Sequence, residues 1–280
     1  MKNLLIHTAA SLVLGLALVA AHAASPSSTP DYAKEKRWER QIVPQLVVGE
    51  GIHLKANGKQ FLGLYTEAST ETPKGAVILV HGGGVHPDWP QVIHPLRVNL
   101  PEQGWITLSI QMPVLANGVN EAAYAPLVTN DAPARIKAAV DYLARKHIDN
   151  IFLVAHSVGA AMASNYLAQS HDMRIRGFVG IGMNGERRSD TPQLDNVNAI
   201  LKMRQPVLDI YGSHADKYIT DSADRRMYAI SVRDIPSSKQ VKVEGSDHFY
   251  EGFEDPLQQN ITAFMDEITP HKKNMSLSRQ

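Results

Sequence analysis

The sequence predicts an α/β fold: one domain on a mostly parallel β-sheet, with helices on both faces. From Gly75 onward, short apolar runs alternate with segments of helical periodicity, which is typical of parallel strands joined by helices. Before them, residues 45–64 alternate in polarity around Asn57 and Gly58, a pair that favours a hairpin turn. We therefore expect two antiparallel N-terminal strands at the edge of the sheet.

The first residues have the pattern of an export signal. Lys2 supplies a positive start, residues 12–20 are apolar, and Ala21-His22-Ala23 forms a small-x-small cleavage site. We expect a signal peptide over residues 1–23, a leader over 24–40 with a short helix at 32–40, the domain over 41–270 and a polar tail over 271–280. The protein would then be periplasmic or secreted, with no stable membrane span after cleavage.

Composition narrows the classes of partner and site. The 280 residues include 28 basic and 28 acidic side chains, with no basic run, so nucleic acid is not an expected partner. The chain contains no cysteine, which excludes disulfides, thiolate metal sites and a cysteine nucleophile. The oligomeric state is not predictable from these features.

Apolar runs and helical spacing predict the elements after the hairpin. Short apolar runs predict strands at residues 76–80, 105–110, 151–154, 177–181, 206–211 and 239–243. Helical spacing of apolar or small residues predicts helices at 91–103, 132–146, 158–169 and 256–268. Residues 112–131 and 184–194 have no such pattern. They are expected to shape a pocket, and neither is long enough for a large cap.

A candidate nucleophile follows the third of these strands. Ser157 lies in Ala155-His156-Ser157-Val158-Gly159, between an apolar strand and a helix rich in small residues. A sharp strand-to-helix turn tolerates only small residues two positions before and after the serine, and Ala155 and Gly159 meet that requirement. The backbone N–H of Val158, at the start of the helix, would face a developing oxyanion.

A glycine-rich loop supplies candidates for a second oxyanion donor. His81-Gly82-Gly83-Gly84 follows the strand at 76–80, and glycines let backbone N–H groups approach a ligand closely. We expect Gly83 to be the donor, with Gly84 as the second choice. The loop lacks the Gly-Lys-Ser/Thr ending of a phosphate-binding loop.

The loops that follow the last two predicted strands contain the candidates for the catalytic base and for the orienting acid. His248 follows the final strand and is the candidate base, which would take the proton from Ser157. Asp216 follows the strand at 206–211 and is the first candidate for the orienting acid. Asp209, inside that strand, is its rival, and Asp247 is a weaker alternative because neighbouring side chains seldom face one another.

Other histidines raise the question of a metal centre. His81, His86, Asp88 and His94 are close in sequence, but their spacing matches no known ligand motif, and glycine-rich backbone makes a poor rigid cage. We therefore expect neither a metal nor a cofactor.

Together, the glycine loop, the serine turn, Asp216 and His248, in this order, resemble the α/β-hydrolase superfamily over residues 75–268. The segment at residues 81–113 also resembles an exported proteobacterial branch of unknown function. The resemblance implies an α/β-hydrolase fold without a large cap and a Ser-His-Asp triad. Alanine stands where the first glycine of the serine motif is usual, and three residues, rather than two, separate Gly212 from Asp216.

We therefore expect an exported serine hydrolase, most simply a carboxylesterase that forms an acyl-enzyme on a small-molecule or lipid-like ester. Acyltransferases and amidases use the same residues, so they remain alternatives. A different class of alternative is a cell-envelope binding protein that keeps the fold without turnover.

Overall fold

The computed structural model describes residues 29–185 and 189–269. The predicted signal peptide and the polar tail lie outside the described residues. The described part forms a central sheet covered by helices on both faces. None of its helices has the length and apolar character needed to cross a membrane.

Within the described residues, eight strands form one sheet in the order β1-β2-β4-β3-β5-β6-β7-β8. Strands β1 and β2 form the predicted hairpin, β2 also runs antiparallel to β4, and all the other pairs are parallel. The strands are β1 Glu50–Ala56, β2 Lys59–Thr66, β3 Gly75–Val80, β4 Trp105–Ile110, β5 Ile151–His156, β6 Ile175–Ile181, β7 Val207–Gly212 and β8 Lys239–Val243. The predicted fold class is confirmed.

Helices cover both faces because side chains alternate along the buried strands. Ile78 and Leu153 pack in the cluster beneath α4 and α5, whereas Val77 and Phe152 pack in the cluster beneath α2 and α9. The helices are α1 Tyr32–Ile42, α2 Ile93–Asn99, α3 Ala125–Asn130, α4 Ala132–Arg145, α5 Val158–Ser170, α6 Asn196–Ile200, α7 Lys217–Thr220, α8 Ala223–Ser231 and α9 Glu254–Ile268.

Helix α1 packs against the sheet domain through a buried ion pair. Arg135 of α4 donates from Nη1 and Nη2 to the two carboxylate oxygens of Glu35, at 3.0 and 3.1 Å. The backbone N–H of Asp31 also bonds the carbonyl of Val114. The segment before the hairpin is thereby fixed to the loop that follows β4.

Residues 112–131 are more regular than expected. The segment was predicted to lack periodicity, but it contains α3 and a 3-10 turn at Glu121–Tyr124. Pro126 falls in the first turn of α3, where a missing N–H costs nothing. A helix of six residues is too short to produce a recognisable apolar period, so the sequence pattern did not reveal it.

Candidate active site

Ser157 lies on a strained turn between β5 and α5. Its φ of +55° is in a region that residues with a side chain rarely adopt. A Cβ atom on Gly159 would collide with the carbonyl oxygen of His81, so the close approach of the α5 start to β3 requires glycine. The turn therefore has the geometry that the small residues predicted.

The start of α5 leaves backbone donors free. The N–H of Ser157 is bonded to the carbonyl of Ile181 at the end of β6, which anchors the turn to the sheet. Val158 is the first residue of α5, and N–H groups in the first turn of a helix have no intrahelical acceptor. Its N–H and the helix dipole are placed to stabilise negative charge near Ser157.

His81 orients the glycine loop through a neutral, fully buried ring. Burial lowers its pKa to about 3. Its Nε2 accepts the N–H of Met112 at 2.9 Å, so Nδ1 carries the proton and donates to the carbonyl of Gly82 at 2.8 Å. Because a trans peptide places C=O and N–H on opposite sides, the Gly83 N–H points away from His81.

Tyr124 lies beside both candidate glycine donors. Its ring packs beside Gly83, where an added Cβ would lie 3.4 Å from Cε2. Its hydroxyl accepts the N–H of Leu115 at 3.2 Å and lies near Gly84, where an added Cβ would be 3.7 Å from the hydroxyl oxygen. Gly83 and Gly84 therefore both line the pocket next to Tyr124, and both are candidates for the second oxyanion donor.

His248 lies at the same edge of the sheet as Ser157. The His248 ring stacks on that of His156, with centroids 4.6 Å apart, and the Nε2–H of His156 donates to the His248 carbonyl at 3.0 Å. Nδ1 of His248 is buried next to Gly182 and has no hydrogen-bond partner among the described residues. Burial lowers the pKa of His248, and the nearby charges of Asp216 and Asp247 partly raise it.

The three candidate acids have different surroundings. Asp216 is exposed at the start of α7 and accepts the hydroxyl of Tyr218 at 3.2 Å. Asp209 is fully buried and is bonded to Arg226 at 2.8 Å and Gln240 at 2.7 Å. Oδ1 of Asp247 accepts two backbone N–H groups of its own turn.

The structure brings Ser157, Val158, Gly83 and Gly84 together around one pocket of about 390 Å³. Tyr124 also lines this pocket. His248 approaches the site from the side of His156, and the described hydrogen bonds join it neither to Ser157 nor to Asp216. The serine turn and the candidate oxyanion loop therefore share one pocket, whereas no hydrogen bond of the described residues joins the candidate base, His248, to Ser157.

Three residues that line or adjoin this site were not predicted from the sequence: Lys34, Tyr124 and His156. Lys34 and Tyr124 line the pocket, and His156 contacts His248. Of these, only His156 had a local signal, since it occupies the position before the serine. Lys34 and Tyr124 reach the site through contacts between distant parts of the chain.

Comparisons with known proteins agree with this architecture. A family model described as "Protein of unknown function (DUF3530)" matches residues 2–134 and 128–267. No curated protein matches the chain in sequence.

Solved structures of similar fold include an esterase from Pyrococcus furiosus, 13% identical, with a TM-score of 0.62 over 79% of this chain and 93% of that one. A dienelactone hydrolase from Anabaena variabilis is 18% identical, with a TM-score of 0.60 over 79% and 98%. An alpha-beta serine hydrolase homologue from Coxiella burnetii is 15% identical, with a TM-score of 0.57 over 78% and 98%. The predicted α/β-hydrolase fold is confirmed.

Proposed function

We propose that the protein is a serine hydrolase that cleaves carboxylic esters. The chain belongs to the family described as "Protein of unknown function (DUF3530)", so the proposal rests on the site of this chain itself. The observation that carries the proposal is the position of Ser157. It occupies a strained turn at the start of α5 and shares a pocket with the oxyanion candidates Val158 and Gly83. Strain of this kind is retained where the surrounding fold imposes it, often at functional sites.

In the proposed reaction, Ser157 Oγ attacks the ester carbonyl while His248 accepts the hydroxyl proton. The carbonyl oxygen becomes an oxyanion that the N–H groups of Val158 and Gly83 stabilise. The C–O bond then breaks, the alcohol leaves with the proton from His248, and an acyl-enzyme remains. Water, deprotonated by His248, releases the acid and restores Ser157.

Asp216 is the proposed orienting acid. Its charge raises the pKa of His248 and thus favours the imidazolium formed during the reaction. The carboxylate of Asp209, by contrast, accepts hydrogen bonds from the side chains of Arg226 and Gln240. Catalysis requires Nε2 of His248 to reach Ser157 Oγ, a contact that commonly tightens when substrate binds.

Export of the enzyme to the periplasm or medium is part of the proposal, and it rests on the pattern of residues 1–23. Expression in a Gram-negative host, followed by fractionation and N-terminal sequencing, tests it. We expect a mature chain that begins at Ala24. Retention of Met1 on a cytoplasmic protein would contradict export.

A second candidate function is ligand binding without turnover. The observation that favours it is that no described hydrogen bond joins Ser157 to His248. Acyl transfer and amide hydrolysis, by contrast, require the same contacts as ester hydrolysis and differ only in the acceptor or the leaving group.

Hydrolysis of p-nitrophenyl esters of increasing acyl length distinguishes an enzyme with turnover from a protein that only binds a ligand. We expect turnover by the wild type and its loss in Ser157→Ala and His248→Ala. Ser170→Ala is the matched control, because Ser170 is exposed at the far end of the same helix. A folded wild type that hydrolyses none of the esters, or a Ser157→Ala variant that keeps full activity, would overturn the proposal.

A further inference from the structure

Lys34 is a buried residue in the wall of the Ser157 pocket. Lys34 comes from α1, far from the serine in sequence, and is only 7% exposed. Its Nζ donates to the carbonyl of Leu115 at 3.1 Å and to Oδ1 of Asn117 at 2.8 Å. Both acceptors are neutral, so neither hydrogen bond neutralises the positive charge.

Within residues 29–185 and 189–269, Lys34 forms no ion pair with a carboxylate. The carboxylate of Asp31 accepts the backbone N–H of Lys34 and raises the pKa of its ammonium, but burial and Arg37 lower it, and burial has the largest effect. An ammonium group has three donors, and two of them are used here. The Nζ atom also lies over the Trp38 ring, 4.9 Å from its centre, which is a cation–π contact.

The position of Lys34 is coupled to the oxyanion loop. Leu115, whose carbonyl binds Lys34, donates its own N–H to the hydroxyl of Tyr124. Tyr124 in turn packs against Gly83. Lys34 is therefore held at a fixed place relative to the proposed oxyanion donor, on a neighbouring part of the pocket wall.

The same pocket contains one described carboxylate, that of Glu121. It accepts the side-chain amide of Asn184 at 3.3 Å. An anion bound in this pocket is attracted by the ammonium group of Lys34 and repelled by the carboxylate of Glu121. Removal of the Glu121 charge is therefore expected to strengthen the binding of an anion.

We propose that Lys34 binds a carboxylate of the substrate, so that the preferred substrates are esters whose acyl chain ends in a free carboxylate. This inference rests on the proposed esterase function. A charge-assisted hydrogen bond contributes about 1.5–3 kcal/mol, which corresponds to a preference of about tenfold or more in kcat/KM.

Two esters of the same size test the proposal. One is mono-p-nitrophenyl adipate, and the other carries an isopropyl group in place of the free carboxylate. We expect the wild type to prefer the anionic ester by about tenfold or more in kcat/KM. We expect Lys34→Met to abolish this preference, which is the ratio of the kcat/KM values for the two esters and does not depend on the basal activity of the variant. Lys34→Arg should restore part of it, and Glu121→Gln should increase it.

Lys36→Met is the matched control, since Lys36 is exposed on the same helix and does not line the pocket. It should leave the preference unchanged. A wild type without preference, or a Lys34→Met variant that loses activity equally on both esters, would overturn the inference.

Calorimetric binding of monomethyl adipate to Ser157→Ala, with and without Lys34→Met, separates this inference from the proposed function. If no ester is hydrolysed but Lys34→Met still weakens binding about tenfold, the anion site stands and the esterase proposal fails. If esters are hydrolysed and binding does not depend on Lys34, the esterase proposal stands and the anion site fails.

Discussion

The Nε2–H of His156 donates a hydrogen bond to the main-chain carbonyl of His248 at 3.0 Å, and the two rings stack with centroids 4.6 Å apart. Burial lowers the pKa of His156 to about 3, so its ring stays neutral near pH 7. His156 immediately precedes Ser157. The turn that presents the serine therefore also holds the backbone of the proposed base.

The first prediction concerns His156→Phe, which keeps an aromatic ring but removes the donor. Since a neutral hydrogen bond contributes about 1 kcal/mol, we expect kcat to fall about fivefold with little change in KM. His156→Gln, which retains an N–H donor, should recover part of the loss. Steady-state kinetics on one ester checks this, and equal kcat values for Phe and wild type would contradict the positioning role.

The second prediction concerns the pH dependence of kcat/KM. His248 must be neutral to act as a base, and burial lowers its pKa, so the acidic limb should have its midpoint below 6.5. Asp216 raises that pKa. Asp216→Asn should therefore shift the midpoint to lower pH and reduce kcat at least about tenfold.

Asp221→Asn serves as the control for Asp216, because Asp221 is exposed at the other end of α7 and pairs with Lys217. Its pH profile should match that of the wild type. An acidic limb that Asp216→Asn leaves in place, or shifts to higher pH, would rule out Asp216 as the acid.

The third prediction separates Asp209 from the triad. Asp209→Asn removes the partner of the fully buried Arg226 and leaves an uncompensated charge. We expect the free energy of unfolding to fall by about 3–5 kcal/mol. Asp216→Asn, at an exposed position, should change it by less than about 0.5 kcal/mol. Urea denaturation of both variants measures this, and a stable but inactive Asp209→Asn would instead make Asp209 the triad acid.

The fourth prediction concerns stability in acid. The pKa of His81 is about 3 in the folded protein and 6.5 in an exposed chain, so the unfolded state binds one more proton between these values. Its contribution to stability is complete above pH 6.5 and is lost as the pH falls towards 3, at about 1.4 kcal/mol per pH unit.

His81→Gln cannot take up that proton. The slope of unfolding free energy against pH, measured between pH 6 and pH 4 by urea titration, should therefore be about 1.4 kcal/mol per unit smaller than in the wild type. Identical slopes would show that His81 titrates normally in the folded protein.

The parts of the fold and site that could be predicted from sequence are those encoded by local patterns. The apolar run of β5, followed by Ser157 and Gly159, determines a strand, a turn and a helix within a few residues. Short helices such as α6 and α7 span too few residues to show a period, and they were not predicted.

Contacts between distant segments explain what sequence reasoning could not find. Lys34 and Leu115 are 81 positions apart, and no local sequence pattern predicts the hydrogen bond between them. The assignment of the orienting acid likewise involves Arg226, which follows both candidate residues in the chain. Of Asp216 and Asp209, it is Asp209 that forms a salt bridge with Arg226. Contacts of this kind can be identified only from the folded structure, in which the sheet brings the distant segments together.

The most direct test of the central claim is covalent labelling by a fluorophosphonate, followed by mass spectrometry of the digested protein. Because the phosphonyl group is captured only by an activated serine, we predict one adduct, on the peptide that contains Ser157. It should be absent from Ser157→Ala, slower to form in His248→Ala and unchanged in Ser170→Ala. A folded wild type that remains unlabelled, or an adduct on another serine, would contradict the assignment of Ser157 as the nucleophile.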